Sequence, residues 1–388
     1  MVALSARYAA VALGVAGVVL GGGAVAPGGA GAAAAVGPGT GWSIVASPNG
    51  TRFGDNTLME VSAGSAASAW AVGYTGGAGT FRTMVQRWNG SRWAVVPSPN
   101  VSSLDNVLSG VDTVSADDAW AVGYANRATS RGLFHRSLIE HWNGSTWRVV
   151  PAPQAGTEDN DLWAVTALSA TNVWAVGNEN VGRFTFRPLV QHWNGRAWTL
   201  VRVPSPPLTG TGASLFGVAA ASPRDIWAVG GYATRTRFQP LVEHFNGDRW
   251  TIIPAPVAGS AVLNRVSLLP SGTGWAVGSR GAGPHARALI ERFDGRHWTA
   301  VPTPQVPGSS GLVDVLALTP HLAWAVGSYS ARPGANRTLI EQWNGHAWRV
   351  TPSAGPRPSS ELLGIAGTPQ HLWAVGDALT NTLILLRR

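Results

Sequence analysis

The sequence predicts an all-β fold, a seven-bladed β-propeller of four-stranded antiparallel blades, and three observations lead there. First, the tetrapeptide Trp-Ala-Val-Gly occurs seven times, beginning at Trp70, Trp120, Trp174, Trp227, Trp275, Trp324 and Trp373. Second, successive copies lie 48 to 54 residues apart, a period that suits one propeller blade per repeat. Third, 49 Gly and 26 Pro interrupt the chain too often for long 3.6-residue periodicity, and Val, Ile, Trp and Thr fill the runs between them.

Each repeat divides into four strand-sized pieces. In the second repeat, Leu108 and Val111 open the first strand, residues 119–124 form the second, 137–142 the third and 146–150 the fourth. The Leu/Val pair recurs at Leu58/Val61, Leu162/Val165, Leu215/Val218, Leu263/Val266 and Leu312/Val315. Between the third and fourth strands stand Asn89-Gly90, Asn143-Gly144, Asn194-Gly195, Asn246-Gly247 and Asn344-Gly345, with Asp294-Gly295 in the remaining copy. Such dipeptides predict tight hairpins with both central residues at positive φ. A Pro-x-Pro or Pro-x-x-Pro stretch such as Pro97–Pro99 then ends the outer strand, because proline cannot donate to a ladder.

The 19 tryptophans fall into register with this division. Seven lie in Trp-Ala-Val-Gly and seven begin fourth strands (Trp42, Trp93, Trp147, Trp198, Trp250, Trp298, Trp348). Four end third strands (Trp88, Trp142, Trp193, Trp343), with Phe245 and Phe293 in their place in two copies; only Trp163 lies off the pattern. An aromatic that repeats in every blade is expected to pack between blades, each burying about 200 Å². The ends of the chain are complementary. The last repeat stops after its third strand, 382–386, while the segment 41–49 aligns with the fourth-strand segment 92–100. The N-terminal strand is therefore expected to complete the last blade and leave no free edge at the join.

Residues 1–34 read as a secretory signal and Gly/Ala-rich segment: Arg7, the apolar stretch 8–26, then a small-residue run. An uncleaved anchor is the rival reading. Residues 35–41 follow as a linker and 42–388 as the propeller. No cysteine is present, which excludes disulfides, thiolate metal sites and thiol nucleophiles. All 28 basic residues are Arg, and with the high Gly, Ala and Pro content this suggests a GC-rich, bacterial, exported protein. The net charge of +8 suits an anionic polysaccharide or cell-surface polymer, or a protein partner; export argues against nucleic acid. After cleavage no stable membrane span is expected, and the chain reads as a monomer.

The segment Trp227-Ala228-Val229-Gly230-Gly231, followed by 242–250 with its Asn246-Gly247 turn and Trp250, resembles the kelch repeat. The chain is also similar to BNR-type propellers of photosystem assembly factors, which combine Trp-Ala-Val-Gly-like strands with a Gly-turn-Trp element. Both resemblances cover residues 42–388 and imply a propeller scaffold for binding. A galactose-oxidase-like cofactor would require Cys, and the sialidase Asp-box is not found.

Candidate site residues come from the loops of one face, where the crossings between blades meet the connections of second to third strands. Arg recurs just before the third strand at Arg82, Arg136, Arg187, Arg287 and Arg337; these either stay solvated or pair with the recurring acid/amide position Gln86, Glu140, Gln191, Glu243, Glu291 and Glu341. Asp55-Asn56, Asp105-Asn106 and Asp159-Asn160 precede first strands in only three adjacent repeats. Three carboxylates at one side of the channel mouth would suit Ca²⁺ or sugar hydroxyls; turns closed by Asx side chains are the alternative. His141, His192 and His244 occupy one repeated position on different blades, too far apart to share a metal. No catalytic residue and no obligatory cofactor emerges. The leading expectation is a secreted, non-catalytic binding or scaffold propeller for carbohydrate or an anionic polymer, with Arg136 and Arg187 flanking the Asp trio. A polysaccharide hydrolase or lyase at the channel mouth is the alternative.

Overall fold

In each repeat, the alternation of apolar runs with Gly- and Pro-marked turns builds a meander of four antiparallel strands. The computed structural model describes residues 41–388 apart from 78–79, 183–184, 208–209, 258 and 333. The expected signal segment, 1–34, and all but the last residue of the linker therefore lie outside the described residues. Blade 1 runs through Asp55–Ser65, Ser68–Gly77, Thr80–Trp88 and Trp93–Val95, and five further sheets repeat this order. The seventh combines Glu361–Thr368, His371–Ala378 and Asn381–Arg387 with Ser43–Val45 from the other end of the chain. Its closing register pairs Ser43 with Leu386, Ile44 with Leu385 and Val45 with Ile384. The ring is thus closed as the complementary termini predict. The one helical element among the described residues is a 3-10 turn at Gly283–His285.

The Trp-Ala-Val-Gly strand is buried throughout, and its glycine is required by a close approach. A Cβ on Gly73 would strike the Thr57 carbonyl, and one on Gly123 the Val107 carbonyl. The first strand presses there because its register slips just after the partner Leu, leaving Met59, Ser109, Trp163, Phe216, Asn264, Val313 and Leu363 as bulge residues. Trp163 is therefore not a stray aromatic but the bulge residue of blade 3.

The hairpins between third and fourth strands differ from expectation. Only their glycines take positive φ, Gly90 at 92° and Gly144 at 90°, so both central residues are not left-handed and the turns are not type I′. Four residues connect the paired Trp88 and Trp93, and the Asn89 Oδ1 accepts the amides of Ser91 and Arg92. Asn143, Asn194, Asn246, Asp294 and Asn344 each accept two amides in the same way. The side-chain oxygen, rather than a left-handed Asn, closes the turn.

Between blades the tryptophans form one layer. Trp70 of blade 1 packs against Trp142 and Trp147 of blade 2, with ring centroids 4.8 and 5.1 Å apart. The same three-ring contact recurs around the ring to Trp373 against Trp88 and Trp93 of blade 1. At the sixth junction Trp324 meets Trp42, and the Arg387 guanidinium stands 4.8 Å over its ring where other blades carry a third-strand aromatic. His141, His192 and His244 are parts of this layer. Each imidazole stacks on the Trp of its own blade, 4.1 to 4.2 Å away, and its Nε2 bonds Asp118, Asn172 or Asp225.

Candidate functional site

The crossing-loop face is uneven, and its irregular part lies over blades 2 and 3. Blade 2 carries the longest hairpin of the ring, Asp118–Thr129 with Gly132–Trp142, whose ladder continues to the pair Thr129–Gly132. Arg127 and Arg131 lie exposed at its end. The asparagines of the Asp-Asn pairs prove to be loop clasps. Asn56 Oδ1 accepts the amides of Gly50 and Thr51 while its Nδ2 donates to the Thr51, Gly54 and Thr380 carbonyls. Asn106 and Asn160 close their own loops through Ser102 and Leu104, and through Ala155 and Glu158.

Two of the three aspartates tie neighbouring elements together. Asp105 accepts the Phe81 amide of blade 1 and the Asn126 side chain of its own blade. Asp159 accepts the His135 amide of blade 2 and the Asn180 side chain. Both face His135, whereas Asp55 is half-buried at the start of its strand, opposite Gly76. No group of three or more His, Asp or Glu among the described residues is placed to hold a metal ion. A Ca²⁺ site at Asp55, Asp105 and Asp159 would have to draw on carboxylates two of which already accept chain amides and amide side chains.

His135 stands at the centre of the resulting network. Its Nδ1 lies 2.7 Å from Asp161, whose second oxygen accepts Asn178, which in turn accepts the Trp163 indole N–H. Tyr124 stacks on the imidazole at 4.2 Å. Burial would lower the His135 pKa, but the facing carboxylates of Asp161, Asp159 and Asp105 outweigh it and the net shift is upward. Arg136 reaches over the following crossing and donates to the Gly156 and Thr157 carbonyls. Arg82 does the same to Ser102, so these arginines do not pair with the recurring acid/amide position, which is fully buried.

Beyond that crossing, on the upper outer rim of blade 3, lies a groove of about 820 Å³. Its walls carry Arg187, Glu179 and Arg202, and apolar surface comes from Leu200, Val203 and Pro206. Partial burial raises the Glu179 pKa, with Arg187 opposing. Loop 155–160 joins this groove to the His135 network, since Ala155 lines the one and Asp159 bonds the other.

The central channel holds a second polar cluster. Arg265 of blade 5 reaches across to Glu60 of blade 1, 2.8 Å away, and also donates to the Phe216 carbonyl. Asp314 of blade 6 lies beside them and accepts the amides of Val315 and Ile365, the latter in blade 7. Asp112 links blades 2 and 3 likewise through Thr113 and Ala167. Burial, then the Asp314 charge, pushes the Glu60 pKa up; Arg265 works against them. This space is only about 250 Å³, and its carboxylates are taken up by the fold. A signal for it was present in the sequence: two residues after the first-strand Leu, Gly110, Ala164, Gly217 and Gly364 give way to Glu60, Arg265 and Asp314. At the groove the sequence marked Arg187 alone, because Glu179, Arg202 and the apolar wall come together only where the outer strands of blade 3 meet the crossing that follows them.

No protein-family model matches the chain, and no curated protein matches it. Solved structures do. YCF48 bound to D1 peptide is 16% identical with a TM-score of 0.56, covering 91% of this chain and 96% of that one. The WD40 β-propeller domain of Doa1 is 13% identical with a TM-score of 0.57, over 90% of this chain and 98% of that one. A polysaccharide lyase, an ulvan lyase bound to -[GlcA(1-4)Rha3S]-, is 12% identical with a TM-score of 0.53, over 86% and 94%. At such identities the likeness shows the fold: the chain is a seven-bladed β-propeller, an architecture shared by peptide-binding proteins and polysaccharide-acting enzymes.

Proposed function

We propose that this chain is an exported, non-catalytic binding propeller that holds an acidic polysaccharide of the cell surface against the crossing-loop face of blades 2 and 3. The groove of about 820 Å³ carries the reading, because Arg187 and Arg202 line it together with an apolar wall. Arginine matches carboxylate and sulfate oxygens with paired N–H donors, and Leu200 and Val203 offer apolar surface to the C–H groups of a sugar ring. Arg127 and Arg131, exposed at the end of the blade 2 hairpin, add positive charge to the same face. Ordinary concave sites combine apolar walls with a few convergent polar groups in this way.

A glycan array bearing uronic-acid and sulfated polymers beside neutral ones tests the proposal directly. The expected outcome is retention of the acidic polymers, weakening with salt, and loss of that retention in Arg187→Ala/Arg202→Ala. Retention of neutral glycans alone, or unchanged retention by the double variant, would rule the groove out.

A further inference from the structure

Six blades place a side chain opposite the Ala of Trp-Ala-Val-Gly that is either Gln or Glu: Gln86, Glu140, Gln191, Glu243, Glu291 and Glu341. In blade 7 the position is Leu385. All six polar side chains are fully buried. The glutamines show what the position is for. Gln86 Nε2 donates to the Pro48 carbonyl at 2.8 Å, and Gln191 Nε2 to the Pro153 carbonyl at 3.1 Å. Each carbonyl belongs to the chain crossing that enters the blade, so the bond clasps one blade to the next.

The four glutamates have no donor aimed at either oxygen. An ionised carboxylate there would be buried and unpaired, which is a severe cost. A neutral carboxylic acid instead has one O–H to give, as the Gln amide has its N–H. We infer that Glu140, Glu243, Glu291 and Glu341 are neutral acids in the folded protein. Each donates its O–H to the crossing carbonyl equivalent to those of Pro48 and Pro153, at Pro99, Pro204, Pro256 and Pro304. The ring is then clasped by four protons and loosens when they leave.

Burial alone pushes the four carboxyls up, to about 8 for Glu140, Glu243 and Glu341 and to about 7 for Glu291. No charged side chain contributes. Facing them across the sheet are Ala121, Ala228, Ala276 and Ala325 on one side and Val149, Ile252, Ala300 and Val350 on the other, none of them titratable. The sign follows from the direction of the shift. The folded-state pKa lies above the unfolded one, so the stabilisation is complete below about pH 4.5 and is lost as pH rises to between 7 and 8. Across that window each glutamate should raise the unfolding constant about tenfold per pH unit.

Thermal melts of the full chain from pH 5 to 9, with E140Q/E243Q/E291Q/E341Q alongside, test this. The expected result is a melting temperature that falls with rising pH in the parent but holds in the quadruple variant, the two converging near pH 5. The four single Glu→Gln variants provide the same readout one clasp at a time, each gaining at pH 8 relative to pH 5. In infrared spectra at pH 6, the parent should show the carbonyl band of protonated carboxyls, and the quadruple variant should show it weakened, with what remains coming from other buried carboxyls such as Glu60. Parallel pH profiles, Gln variants that melt lower at pH 8, or a band equally strong in the parent and the quadruple variant would each overturn the inference.

Discussion

The tryptophan layer and the crossing-loop face are built from the same seven repeats, yet one is nearly invariant and the other differs from blade to blade. At every junction a Trp-Ala-Val-Gly indole meets the outer-strand Trp of the next blade, because each blade has one neighbour of the same shape to fill. No such constraint acts on the loops. Blade 2 extends its hairpin, and blade 3 opens a groove beside a network of His135, Asp161 and Asn178 that no other blade repeats. The invariant layer reports packing; the broken symmetry is where the proposed ligand would find something to recognise.

The largest expected effect tests the closure on which the layer depends. Deleting residues 41–47 removes Ser43–Val45 and the buried Trp42, exposing the Asn381–Arg387 edge. Such a protein should melt far below the full chain and aggregate through the open edge, whereas deleting residues 1–38 should leave the melting temperature almost unchanged. Equal melting of the two truncations would mean the terminal strand is dispensable.

Within the layer, Trp70→Ala should cost about 3–5 kcal/mol, as buried aromatic truncations do. Chemical denaturation of the variant measures it, and a loss near 1 kcal/mol would place Trp70 outside the load shared between blades. On the loop face the same experiment should give less. Asp105→Ala strands the Phe81 amide and the Asn126 side chain in a buried setting, a loss of about 1–3 kcal/mol. If Asp105→Ala is instead neutral for stability but abolishes ligand retention, Asp105 is a ligand contact and not a clasp. The smallest stability change belongs to the groove. Arg187→Ala/Arg202→Ala should stay within about 0.5 kcal/mol of the parent, while salt-sensitive retention of an acidic polymer is lost. A destabilised double variant would show these arginines to be part of the packing that they line.

Much of the fold was legible because repetition multiplies weak signals. One Trp-Ala-Val-Gly says little, but seven at near-constant spacing fix the blade count, and the mismatch between the two chain ends fixes the closure. Local detail was less secure. Asn89-Gly90 marks its turn correctly, yet whether Asn goes left-handed or closes the loop with its side chain depends on a connection of four residues rather than two. The Asp-Asn pairs were visible as broken symmetry, but their oxygens are consumed by amides from a neighbouring blade or a distant loop, a partner that sequence distance hides.

The sequence by itself therefore determined the architecture: strand number, blade number, the tryptophan layer and the join of the termini, all set by periodic patterns acting through short-range geometry. Only the tertiary structure decided which polar groups are free and which are spent. Arg265 meets Glu60 across the channel from 205 residues away, and Gln86 meets the crossing that enters its blade. Four glutamates at that same repeated position are sealed from water with no donor in reach. Burial and partner identity are properties of the closed ring, because the energy of a polar group depends on what surrounds it in space and not on its place along the chain.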